Sequence, residues 1–170
     1  MKNCKIIEGK SPEIADRWFK AIIETYPQMA AKFFSAKDAP FSNPVGSAIA
    51  ESARQICNWL TDDKPLSNIE KSLEELIKIR AVQDFTASEA VSFILKLKTI
   101  ILELQQNKND NSITYGELSE IFEKIDGLML FAFDLFMRSR EKIYEIKANE
   151  IKNQTYMLIE RINKKYENND

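Results

Sequence analysis

Apolar residues recur at intervals of three and four positions along most of the chain, the spacing that places side chains on one face of an α-helix. Strict alternation of apolar and polar residues is absent, and only four glycines interrupt the pattern. We therefore predict an all-α fold of about six helices that ends in a long C-terminal helix. The predicted helices are Ser11–Tyr26, Pro27–Ser35, Asn43–Leu60, Ser67–Val82, Ala87–Gln106 and Thr114–Glu167.

Polar residues that favour helix N-termini stand before most of these segments. Ser11 and Asn43 each precede a proline, which is favoured in the first turn of a helix. Capping boxes, in which a Ser or Thr is followed three residues later by Glu, are predicted at Ser67, Thr86 and Thr114. Because the fourth helix ends only a few residues before Thr86, we expect the fourth and fifth helices to meet in a tight corner.

The last predicted helix changes character near residue 138. Its first part is densely apolar and carries Asp134 one turn before Arg138, a charged pair that is usual at a helix–helix or subunit contact. Its second part is charged and has a thin apolar stripe with the alternating four- and three-residue spacing of a coiled coil. The residues of this stripe are Tyr144, Ala148, Ile151, Thr155, Leu158 and Ile162.

This change predicts two parts of the chain, a helical domain over residues 1–137 and an extension of the last helix over residues 138–170. We expect the extension to pair with a second copy and form a homodimer. The alternative is an amphipathic tail that folds back on its own domain. The candidate interface residues are Leu130, Phe131, Asp134, Arg138, Tyr144, Ile151, Leu158 and Ile162.

The composition excludes several kinds of chemistry. The chain has no histidine, so a Ser-His-Asp triad, an imidazole metal ligand and a His-ligated haem are ruled out. Cys4 and Cys57 are too far apart for a metal-binding or redox motif, and 24 basic residues nearly balance 26 acidic ones. We therefore expect a cytoplasmic, non-enzymatic protein without a metal, a cofactor, a membrane span or a nucleic-acid partner.

Two basic residues lie on helix faces that the pattern assigns to the core. Arg80 continues the apolar row of the fourth helix, and Lys98 falls on the apolar side of the fifth. A structural role is one hypothesis, in which Arg80 pairs with Asp84 or caps its helix and Lys98 snorkels to solvent. By the helical rise, the two cations lie too far apart to share one site. The other hypothesis is a mostly apolar pocket that holds an anionic or fatty-acid-like ligand through Lys98 or Arg80. Its candidate residues are Arg80, Lys98, Val91, Ile94 and Leu102.

Three stretches of the chain together resemble a known family. They are ETYP at Glu24–Pro27, PFSNPVG at Pro40–Gly46 and IRAVQDFTASEAVSFILKLK at Ile79–Lys98. The combination resembles the N-terminal domain of the RsbT co-antagonist proteins of the RsbRD type, over roughly residues 10 to 105. The positions that match the family motif are Tyr26, Phe41, Asn43, Pro44, Arg80, Gln83, Asp84, Ser88 and Lys98.

The resemblance implies a bacterial signalling module of the general stress response. It implies a haem-free, globin-like sensor that dimerises and signals through its last helix to an output such as a STAS domain or a histidine kinase. The chain ends at Asp170 without such a domain, so we expect either a stand-alone sensor or a fragment. The competing hypothesis is a protein–protein adaptor with a solid core and no small-molecule ligand.

Overall fold

The computed structural model describes residues 7, 9–35, 42–62, 64–106 and 115–167, and this part of the chain is helical throughout, without a strand. The helices are α1 (Ser11–Ile23), α2 (Gln28–Phe34), α3 (Pro44–Thr61), α4 (Glu70–Ala81), α5 (Ala87–Ser92), α6 (Lys96–Gln106) and α7 (Tyr115–Glu167). Short 3-10 turns precede α4 at Leu66–Ile69 and join α5 to α6 at Phe93–Leu95. The predicted all-α fold is confirmed, and α5 to α6 corresponds to the predicted fifth helix.

The core forms where the apolar faces of several helices meet. α1 packs against α3 and α6, α3 packs against α4, and the first half of α7 packs against α4 and α5. Trp18 lies at the centre, stacks on Phe93 with ring centroids 5.6 Å apart, and donates its indole N–H to the Phe93 carbonyl at 2.9 Å. One apolar core therefore holds α1 and the turn between α5 and α6 together.

The start of α3 fixes the end of α2. The Asn43 side chain accepts a hydrogen bond from the Gly46 N–H at 2.9 Å and donates to the carbonyls of Phe33 and Phe34 at 3.0 and 3.1 Å. This arrangement leaves no room at Gly46, where an added Cβ would lie 2.3 Å from the Phe34 carbonyl oxygen. The predicted Asn43 cap is thus confirmed, and it also ties two helices together.

Three of the other predicted helix starts have different outcomes. The Thr86 capping box is confirmed, with both reciprocal bonds to Glu89 present. Ser11 is the first helical residue of α1 rather than its cap, and its hydroxyl bonds to Asn58 instead. The box at Ser67 is wrong, because the chain after Pro65 enters a 3-10 turn and α4 begins only at Glu70, without a side-chain cap. The box at Thr114 lies outside the described residues.

The 3-10 turn inside the predicted fifth helix has a local cause. Side chains of other helices occupy the carbonyl oxygens around it, since Arg80 bonds to those of Glu89 and Ala90 and Trp18 bonds to that of Phe93. Side chains that enter the backbone ladder of a helix in this way disturb its regular bonding. We attribute the tightening at Phe93–Leu95 to these three bonds.

α7 runs without interruption from the core into solvent. Its buried positions extend from Ile121 to Phe136, and every described side chain from Tyr144 to Lys165 is exposed. We call residues 141–165 the arm and residues 9–140 the body. Among the described residues no helix is long and apolar enough to cross a membrane.

Candidate functional site

Arg80, near the end of α4, is completely buried and its guanidinium is held by three hydrogen bonds. Nε donates to the Ala90 carbonyl at 2.9 Å, Nη1 to the Thr25 hydroxyl at 2.9 Å and Nη2 to the Glu89 carbonyl at 3.1 Å. The Thr25 hydroxyl in turn donates to the Ile22 carbonyl at 2.6 Å. Arg80 therefore joins the end of α1 and the start of α5 to α4.

Aromatic rings complete the surroundings of this guanidinium. Its carbon lies 4.2 Å from the centre of the Phe85 ring, 4.8 Å from that of Phe93 and 5.1 Å from that of Tyr26. Among the described residues no carboxylate lies within 4 Å of it, so the expected pair with Asp84 is wrong. Burial lowers the pKa of Arg80, and the polar neighbours Tyr26 and Glu89 oppose that change. The direct partners of the cation are therefore carbonyl and hydroxyl dipoles and ring faces, while the Glu89 carboxylate acts on it only from beyond ion-pair distance.

We call residues 82–86, which connect α4 to α5, the α4–α5 corner. An open cleft lies at this corner, next to the rings that cover Arg80. The cleft has a volume of about 430 Å³ and is mostly apolar. Tyr26 packs edge-on against Phe34 and Phe85, with ring centroids 5.2 and 5.6 Å away. The cleft is lined by Tyr26, Pro27, Ala30, Phe34, Gln83, Asp84 and Phe85.

The Tyr26 hydroxyl is a second unusual polar group at this place. The side chain is only 5% exposed, and among the described residues its hydroxyl has no hydrogen-bond partner. Burial raises the pKa of Tyr26, and the nearby Arg80 cation opposes part of the rise. The hydroxyl thus stays protonated near neutral pH and can donate a hydrogen bond to an acceptor.

The five candidate ligand residues lie in different surroundings in the structure. Lys98 is half-buried on α6, forms an ion pair with Asp126 of α7 at 2.7 Å and lies 5.1 Å from the Phe122 ring. Val91 and Ile94 are buried in the core, whereas Leu102 is 37% exposed. None of the five residues lines the cleft, and only Arg80 borders it.

The corner is also bound from the side of α7. Arg140 donates to the Ala81 carbonyl at 3.1 Å and to the Gln83 carbonyl at 3.4 Å, and its other nitrogen donates to the Tyr144 hydroxyl at 2.8 Å. Tyr144 is the first residue of the predicted coiled-coil stripe. One side of the corner therefore faces the cleft, and the other side is bound by Arg140, which also holds Tyr144 of the arm.

Sequence reasoning did not find Tyr26 as an unpaired hydroxyl, Asp126 as the partner of Lys98, or Arg140 as a contact of the corner. Asp126 and Arg140 lie on the side of the predicted last helix that packs against the body. That position was the only feature of the sequence that could have indicated a contact with other helices. Asp134 and Arg138 are both exposed, and no ion pair within 4 Å joins these two described residues.

Other reactive groups in the described part of the chain offer little chemistry. Burial raises the pKa of the Cys57 thiol far above its usual value, so it stays protonated. Cys4 lies outside the described residues. No group of three Cys, Asp or Glu side chains that could hold a metal ion occurs among those residues.

The helical body and its projecting helix define a class of protein by fold, an all-α domain with a long C-terminal helix. Residues 12–151 match the family described as the RsbT co-antagonist protein rsbRD N-terminal domain. The match covers most of the chain, so the chain belongs to this family, a family of regulatory signalling domains and not a known enzyme family. The resemblance of the three sequence stretches is thereby confirmed. No curated protein and no solved structure matches the chain.

Proposed function

We propose that the chain is a non-enzymatic signalling domain of the bacterial stress response that pairs with a second copy of itself through α7. The helical domain predicted over residues 1–137 receives a signal from a small apolar or anionic ligand, and the extension predicted over residues 138–170 passes it on. The observation that carries the proposal is the continuity of α7. A single helix has one half in the core and the other half in solvent, so a change in the body moves the arm directly.

The exposed residues of the arm support pairing. Tyr144, Ile151, Leu158 and Ile162 are all exposed apolar side chains, although they occupy the positions that form the core of a coiled coil. An isolated helix of this kind leaves its apolar stripe in water, and a second copy would cover it. We call the six positions from Tyr144 to Ile162 the seam.

The seam continues into the body in the same phase. Met137 and Leu130 lie seven and fourteen residues before Tyr144, and both are exposed. A coiled coil has two core positions in each heptad, and the second one is occupied here by Asp134 and Glu141. Both of these side chains are exposed as well. Pairing of two parallel copies would bring like carboxylates together there, so we expect tight contact along the seam and looser contact beside the body.

Sedimentation velocity on the whole chain tests the proposal with two matched variants. Ile151→Glu places a charge on the seam, whereas Ile146→Glu makes the same change at a similarly exposed position off the seam. We expect Ile151→Glu to weaken dimerisation by at least about tenfold and Ile146→Glu to leave it nearly unchanged. Far-ultraviolet circular dichroism on both variants checks that the helix content is retained.

A protein that remains monomeric at the highest attainable concentration contradicts self-pairing. That result would favour the second candidate function, an adaptor whose arm docks on a different protein. The exposed apolar residues Tyr156, Met157 and Ile159, which lie off the seam, are the observation that favours this candidate. Their replacement by polar residues would then abolish partner binding, while the seam variants would affect it less.

A further inference from the structure

We propose that the cleft at the α4–α5 corner binds a small organic carboxylate with an apolar body, with the carboxylate at Arg80 and Tyr26. This inference deepens the proposed function and, in its second part, rests on it. The apolar part of the ligand lies against the rings of Tyr26, Phe34 and Phe85, which line the cleft. The volume of the cleft, about 430 Å³, suits a small molecule.

The charge of the ligand follows from the donors that lie behind the Tyr26 and Phe85 rings of the cleft. Arg80 has five N–H groups, of which three donate to Ala90, Thr25 and Glu89. The two that remain lie beside the Tyr26 hydroxyl oxygen, and a carboxylate is a stronger acceptor for them than that neutral oxygen. The Tyr26 hydroxyl adds a third donor that has no partner among the described residues. A carboxylate can accept all three bonds and also supplies the counter-charge that Arg80 lacks.

The route to these donors passes one side chain. Phe85 lines the cleft and also covers the guanidinium at 4.2 Å, and it is only half-buried. A carboxylate therefore reaches Arg80 when the Phe85 ring turns aside. Asp84 also lines the cleft and would repel an anion, but its side chain is exposed. Water therefore screens this repulsion more strongly than it screens the attraction of the buried Arg80 charge.

Displacement of Phe85 gives the ligand a path to the arm. Phe85 lies two residues after Gln83, whose carbonyl accepts a hydrogen bond from Arg140, and Arg140 holds the Tyr144 hydroxyl. A shift of the corner therefore changes the support of the first seam residue. Binding and dimerisation are then linked, since a ligand that prefers one position of the corner favours one arrangement of the arm.

Hydrocinnamate and hydrocinnamyl alcohol are the probes, because they share one carbon frame and differ in the carboxylate. Isothermal titration of the whole chain is expected to show hydrocinnamate binding at least about tenfold more tightly than the alcohol. Tyr26→Phe should weaken hydrocinnamate by about fivefold to tenfold and the alcohol by less, because a neutral oxygen accepts a weaker hydrogen bond than a carboxylate. Asp84→Asn should tighten hydrocinnamate binding.

Two further variants test where the ligand binds and leave Arg80 and Tyr26 unaltered. Ala30→Trp fills the cleft and is expected to abolish binding of both probes. Lys98→Gln removes the cation that pairs with Asp126 outside the cleft and is expected to leave binding unchanged. Equal affinity for the two probes, no binding of hydrocinnamate, or full binding by Ala30→Trp would each overturn the proposal.

The link to the arm is measured separately from binding. Hydrocinnamate should change the dimer dissociation constant of the unaltered chain, and Arg140→Gln should keep the affinity for hydrocinnamate but lose this change. Binding without any effect on dimerisation would overturn the linkage and leave the site intact. Absence of a dimer in both the free and bound protein would contradict the proposed function, whereas the binding result would stand by itself.

Discussion

At the scale of single residues, two glycines in helices give opposite predictions for the same substitution. At Gly46 an added Cβ would lie 2.2 Å from Asn43 Nδ2 and 2.3 Å from the Phe34 carbonyl, whereas at Gly127 nothing lies within 4 Å. We expect Gly46→Ala to lower the free energy of unfolding by about 2 kcal/mol or more, because the cap and the end of α2 must move apart. Gly127→Ala should raise it by up to about 1 kcal/mol through helix propensity. Urea denaturation of both variants measures these values, and equal effects would contradict the close approach at Gly46.

Arg80 is the residue whose loss should disturb the body most. Arg80→Met keeps much of the apolar stem but leaves the carbonyls of Glu89 and Ala90 and the Thr25 hydroxyl without their donor. We expect the free energy of unfolding to fall by about 2–4 kcal/mol, since each unpaired buried group is costly. Arg54→Met, at an exposed arginine paired with Glu51 on α3, is the matched control and should change stability by less than about 0.5 kcal/mol. A small effect at Arg80 would mean that its bonds only replace equivalent bonds to water.

At the scale of elements, the capping box of α5 gives a pH prediction. The backbone N–H of Thr86 donates to the Glu89 carboxylate at 2.9 Å, and hydrogen bonds from Thr86 lower the pKa of Glu89. A carboxyl group with a lowered folded-state pKa stabilises the fold above its unfolded pKa and loses that contribution as the pH falls through the folded value. Between about pH 5 and pH 3, stability should therefore decline less steeply in Glu89→Gln than in the unaltered chain. Parallel slopes in urea titrations across this range would contradict the role of the box.

The elements also show how far the sequence could be read. Helix periodicity and the caps at Asn43 and Thr86 depend on neighbours a few residues away, so the sequence predicted them correctly. The Ser67 box failed because Pro65 starts a 3-10 turn that competes with it over the same residues. The partners of Arg80 are backbone carbonyls and a Thr hydroxyl from other helices, which no residue pattern marks. For the same reason the sequence indicated that Arg80 and Lys98 were unusual and do not share one site, but it could not name the groups that each of them contacts.

At the scale of the whole molecule, the direction of pairing is decided by the charges where the seam meets the body. In a parallel dimer Glu141 faces its own copy at a core position of the coiled coil, and the two carboxylates repel each other. We therefore expect Glu141→Leu to strengthen dimerisation by at least about fivefold and to reduce its dependence on salt, because repulsion is replaced by apolar contact. Glu150→Leu makes the same change on an exposed face of the arm away from the seam and should leave the dimer nearly unchanged. Equal effects of the two variants in sedimentation equilibrium would argue against parallel pairing in this register. Stronger dimerisation of Glu141→Leu alone would show that the paired surface reaches the helical turn of Arg140, the residue that binds the α4–α5 corner.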